Sequence, residues 1–137
     1  PACTTAGATT CTVTGLANGT AYRARVRALN AAGTGPFSAA SSRATPLGTI
    51  SPAVTRSGRT ITLAFAPVAG ASTFTLVASG ATRGTTSCRV AGTGAARRAT
   101  CSRSLRPGTT TLVIEARTAR GVLIARHQRS ARTRSPE

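Results

Sequence analysis

Residues Cys11 to Pro46 read CTVTGLANGTAYRARVRALNAAGTGPFSAASSRATP, and the fold of the chain is decided in this stretch. At its centre Tyr22, Ala24, Val26 and Ala28 alternate with Arg23, Arg25 and Arg27. A period of two sends the apolar groups to one face of an extended segment and the guanidiniums to the other, so the pattern predicts a half-buried strand. Asn18-Gly19 before it tolerates positive φ and marks a turn. Asn30 to Pro36 after it reads as a loop that cannot continue a ladder. A further strand is expected over Cys11 to Leu16, and another from Phe37 towards Pro46.

This strand, crossover, strand, loop and strand resembles strands E, F and G of a fibronectin type III domain. Leu16 followed six residues later by Tyr22 is similar to that family's tyrosine corner, whose phenol hydroxyl ties back to the crossover backbone. The resemblance implies an all-β, immunoglobulin-like sandwich of seven strands. Residues 1–46 supply only about half of one, so they are expected to be the C-terminal half of a domain and the chain a fragment of a longer one.

The short polar run Arg43 to Gly48 reads as a linker. Residues 47–137 are expected to form a second, divergent and nearly complete sandwich. Its first strand, Ile50 to Thr55, is an edge strand tolerant of Pro52. The next two are Arg59 to Val68, with Ile61, Leu63 and Phe65 on one face, and Ser72 to Ser79, with Phe74 and Leu76 on one face. Phe65 stands where the family usually has Trp, with Pro67 following, and implies a looser core. Cys101 to Gly108 echoes Cys11 to Gly19, and Leu112, Ile114 and Ala116 repeat the alternation of Ala24, Val26 and Ala28. Thr110 takes the place of Tyr22, so the tyrosine corner is expected only in the first unit. Val122 to Arg132 is the last strand, and Arg129 to Glu137 reads as a basic, frayed tail.

Composition narrows the chemistry. The chain has 137 residues, 18 basic and 2 acidic ones, and a formal charge of +16. Every basic residue is Arg, and Asp is absent. Aromatics are 3%, so the core is built mainly from Val, Leu, Ile and Ala, with Phe37, Phe65 and Phe74 assigned to it. The four cysteines fall into local pairs, Cys3 with Cys11 and Cys88 with Cys101. Neither has the C-x-x-C spacing of a zinc knuckle or a redox motif, and disulfides across neighbouring strands in an oxidising compartment are the favoured reading over free thiols. No apolar run is long enough to span a bilayer.

Catalytic constellations are missing from the sequence. Two positioned carboxyls would have to come from Glu115 and the terminal Glu137, and His127, the only histidine, has no Asp to orient it. No cofactor or metal site is expected, since hard cations need several oxygen ligands. Gly92-Thr93-Gly94-Ala95-Ala96-Arg97 lacks the third Gly of a phosphate-binding loop and reads as a flexible loop. Asn18-Gly19-Thr20 fits a glycosylation acceptor but is equally the turn the crossover needs. Arg83-Gly84-Thr85 and Arg120-Gly121-Val122 lack the Asp of an integrin-type loop.

The expectation is therefore a non-catalytic spacer or adhesion module of a secreted or cell-surface multidomain protein. Its partners are other domains of the same parent chain, with a surface polymer or protein as a further partner. The alternative is a polyanion-binding module in which Arg23, Arg25 and Arg27 hold an anionic wall polymer, a glycan or nucleic acid. Nucleic acid is the weaker version, because no aromatic stacking platform accompanies the arginines.

Overall fold

The computed structural model describes residues 2–134 and divides into two compact units, Pro1–Pro46 and Leu47–Glu137. Among the described residues there is no α-helix; the elements are strands and one short 3-10 turn.

In the first unit, β1 (Leu29–Asn30) and β2 (Gly33–Thr34) form a two-residue hairpin, with Asn30 Oδ1 accepting from the Ala32 N–H at 3.0 Å. The Asn30 to Pro36 segment therefore carries its ladder across the turn before Pro36 ends it. Neither Tyr22 to Ala28 nor the returning Phe37 to Pro46 forms the regular strand expected; a single bridge joins Tyr22 and Ala44, and the remaining pairing between the two segments is irregular. Ala28 O accepts from Gly35, Val26 O from Ser38, Ala24 O from Ser41, and Tyr22 exchanges both bonds with Ala44. The bonded residues step by two on one side and by three on the other, from Ser38 to Ser41 to Ala44. Serine hydroxyls fill the resulting gaps: Ser38 Oγ accepts from Val26 N and Ser41 Oγ from Ala24 N, each at 3.0 Å.

Two expectations fail in this unit for one reason. Cys11 to Leu16 is not a strand, and the face carrying Val26 is not buried, Val26 being 73% exposed. Both properties need a neighbouring strand to supply a ladder or a covering sheet, and residues 2–46 contain none in that position. Phe37 is likewise 55% exposed and does not belong to the core.

The second unit is an immunoglobulin-like β-sandwich. One sheet has the order β4-β5-β9-β8 and the other β3-β11-β10-β6-β7. The strands are β3 (Gly48–Thr49), β4 (Ala53–Ser57), β5 (Thr60–Phe65), β6 (Thr73–Gly80), β7 (Gly84–Ser87), β8 (Arg89–Ala91), β9 (Arg98–Ser104), β10 (Gly108–Arg117) and β11 (Leu123–Thr133). Strand parity does the work: Ile61, Leu63 and Phe65 of β5 face Phe74, Leu76 and Ala78 of β6 and Leu112, Ile114 and Ala116 of β10 in one core. The Phe65 and Phe74 rings meet edge to face, with centroids 5.5 Å apart.

The first strand of this unit is not the single edge strand expected. Its start, β3, runs parallel to β11, and after Pro52 the chain pairs antiparallel with β5 as β4. Pro52 has no N–H for a ladder, and Ile50 is buried between the two pairings, so the chain changes sheets there. The last strand continues through Thr133, opposite Gly108, so residues 129–133 are not the frayed tail expected, and residues 135–137 of that expectation lie outside the described residues. Its arginines at 126, 129 and 132 point to solvent while backbone pairing continues. The segment read as a flexible loop instead holds a 3-10 turn, Gly94–Ala96, with Arg98 Nη1 donating to the carbonyls of Ala95 and Arg97 at 3.0 Å.

Candidate functional site

The residues singled out by sequence lie in separate places. Cys3 and Cys11 are bonded in the first unit, and Cys88 and Cys101 in the second. Cys88 follows β7 and Cys101 lies in β9, with a Cα separation of 4.4 Å, so this bridge ties the edge strand of one sheet to an inner strand of the other. Cys101 is 1% exposed and forms part of the core.

Leu16 and Tyr22 are half-buried, and the Tyr22 hydroxyl accepts from the Ala17 N–H at 3.0 Å. Gly19 closes the crossover at φ +77°, and its N–H donates to Pro46 O at 2.9 Å. Replacing Tyr22 by Phe removes one acceptor and leaves the ring. A neutral hydrogen bond contributes about 1 kcal/mol, so amide exchange at Ala17 is expected to quicken roughly fivefold. An unchanged rate would show that the hydroxyl does not hold the crossover.

In the second unit a different device does this work. Thr110, fully buried, accepts the Thr82 N–H at 3.1 Å through its hydroxyl, Thr82 Oγ1 accepts the Arg106 N–H at 2.8 Å, and Leu105 N donates to Arg59 O. Threonine hydroxyls replace the phenol, so losing tyrosine here leaves the crossover anchored.

Arg23, Arg25 and Arg27 are all exposed, and no carboxylate pairs with them among the described residues. The even-numbered residues turn their backbone groups towards Ser38 to Ala44, so the odd-numbered arginines turn theirs to the opposite edge. That edge has no backbone partner among the described residues. The Arg27 guanidinium lies 4.8 Å from the Phe37 ring centroid, a cation–π contact that holds one of the three in place.

Glu115 is bound by Arg117, with Arg117 Nη2 3.0 Å from Glu115 Oε2, and Arg117 Nη1 also donates to Gly121 O. Arg117 is thereby occupied, which separates it from the open arginines of the first unit. His127 sits half-buried in β11, opposite Ile114. Glu137 lies outside the described residues. No group of three His, Cys, Asp or Glu side chains comes together among the described residues, and none of their helices is long and apolar enough to cross a membrane.

One charged cluster has no signal in the sequence. Arg83, Arg103 and Arg106 line a single cleft of about 660 Å³ in the second unit. They come from the β6–β7 turn, β9 and the β9–β10 crossover, so only the folded register brings them together.

The family model described as Fibronectin type III domain matches residues 2–44. The match falls within the first unit. No significant match was found among curated proteins or among solved structures.

Proposed function

We propose, from the premise that residues 2–44 are those of a fibronectin type III domain, that the chain is a supporting module of a secreted or cell-surface multidomain protein, spacing or attaching other domains without catalysis. Domains of this family are typically non-catalytic parts of multidomain proteins, and disulfide-bearing ones are typically extracellular. The observation that carries the reading is that each of two β units is braced by its own disulfide, a construction suited to an oxidising compartment. The second unit is read as a divergent member of the same kind, on the strength of its sandwich fold and its echo of the first unit's crossover.

A second reading is favoured by one specific feature, the exposed and carboxylate-free Arg23, Arg25 and Arg27 edge. It makes the first unit a binding face for an anionic polymer. Salt separates the two. A field of +16 attracts every polyanion, but that attraction weakens as the Debye length falls to about 8 Å at physiological ionic strength.

The test is binding to single-stranded DNA, duplex DNA, a sulfated glycan and an anionic wall polymer across a salt series, with an Arg23→Glu, Arg25→Glu, Arg27→Glu variant alongside. The supporting role predicts weak attraction, equal for every polymer and lost near about 0.15 M salt. Selective binding that survives salt and disappears in the variant would overturn it and make the arginine edge the functional site.

A further inference from the structure

We propose that the cleft between the β6–β7 turn and the β9–β10 crossover binds a tetrahedral oxyanion, a sulfate or phosphate monoester, through Arg83, Arg103 and Arg106. The site belongs to the second unit and is independent of the Arg23, Arg25 and Arg27 edge.

Arg103 is the fixed member. Its Nη1 donates to Thr86 Oγ1 and its Nη2 to Arg83 O, each at 2.6 Å, and the side chain is half-buried. A guanidinium has five N–H donors, so these two bonds hold its plane and leave three donors for a ligand. Room for that plane depends on Gly84. A Cβ there would lie 2.7 Å from Arg103 Nη2, and the φ of +122° is one that other residues rarely adopt.

Arg83 and Arg106 add two further positive charges beside this fixed fork. Both are exposed, and neither guanidinium has a hydrogen-bond partner among the described residues. The backbone around them is pinned: Thr82 N donates to Thr110 Oγ1, and Arg106 N donates to Thr82 Oγ1. Those amides are already used, so recognition falls to the guanidiniums.

The arrangement selects among anions. One Arg fork already satisfies the two oxygens of a planar carboxylate, whereas three arginines lining one cleft from separate elements match an ion with more oxygens and a second negative charge. No carboxylate lines the cleft to compete for them. Gly80, Ala81 and Ser104 complete its wall with small side chains, leaving space for the sugar or other group that carries the ester.

The experiment is an amide-resolved NMR titration of the whole chain at constant ionic strength, replacing chloride by inorganic sulfate, inorganic phosphate, glucose 6-sulfate, glucose 6-phosphate or acetate. Saturable shifts confined to Thr82, Arg83 and Arg106 and their neighbours are expected with the tetrahedral ions. The tighter of the two sugar esters identifies the source of the group. Arg83→Gln with Arg106→Gln should weaken binding by about tenfold or more, since two of the three charged donors are lost. Gly84→Ala should weaken it by displacing Arg103, while Arg23→Gln, Arg25→Gln and Arg27→Gln should leave it unchanged. The Arg83 and Arg106 positions are exposed, so an otherwise unaltered spectrum verifies folding in that variant. Non-saturating shifts spread over all arginines, acetate binding as tightly as sulfate, or full affinity in the Arg83, Arg106 variant would each overturn the assignment.

Discussion

Replacing Phe74 by alanine is expected to destabilise the second unit by about 3–5 kcal/mol, the range for emptying a buried phenylalanine site. Phe74 is 3% exposed and meets Phe65 edge to face across the two sheets. With aromatics only 3% of the sequence, few side chains nearby can expand into the space. Small domains have a total stability of about 5–15 kcal/mol, so the loss removes a large share of it. Urea unfolding followed through second-unit signals measures the change. Phe37→Ala is the control, and because that ring is mostly exposed its effect on the same transition should be within about 0.5 kcal/mol. Equal losses from the two variants would contradict the assignment of the core.

Removing the second disulfide has the next largest expected effect. Cys88→Ala with Cys101→Ala opens a loop with a sequence separation of 13, for which the chain-entropy estimate is about 3 kcal/mol. Part of the loss comes from the folded side, because Cys101 is buried among the core residues. The Cys3–Cys11 bridge differs: both residues are exposed, and Cys11 to Leu16 joins no ladder. Its removal should leave second-unit unfolding unchanged. A urea midpoint that does not move when Cys88 and Cys101 are replaced would show that the sandwich does not depend on its bridge.

The second unit was legible where parity governs structure. Ile61, Leu63 and Phe65 alternate with threonine and alanine, Leu112, Ile114 and Ala116 share one parity across Val113 and Glu115, and each set faces the core because a strand has two sides. Breaks in pairing were harder to locate. A proline in an edge strand and a proline at a change of sheet look alike in sequence, and only the burial of Ile50 and the parallel pairing of β3 separate them at Pro52. The arginines of β11 suggested fraying, although outward side chains leave the backbone free to pair through Thr133.

The first unit shows the complementary limit. Alternation at Tyr22 to Ala28 records which face is apolar, but burial requires a partner, and Val26 remains open without one. The tyrosine corner was legible because its parts lie five residues apart and close locally, through Ala17 and Tyr22. The cleft of Arg83, Arg103 and Arg106 was not, since its members come from three elements in a chain where arginine is common throughout.

Hydrogen exchange on the intact chain, resolved by residue, tests most directly whether the second unit is a closed two-sheet sandwich and the first an open, irregularly paired unit. Strong, uniform protection in β5, β6, β9 and β10, with fast exchange over Cys11 to Leu16 and at Arg23, Arg25 and Arg27, is the predicted result. Protection at Cys11 to Leu16 equal to that of β10 would contradict it, because those amides would then have a ladder partner that the fold described here does not contain.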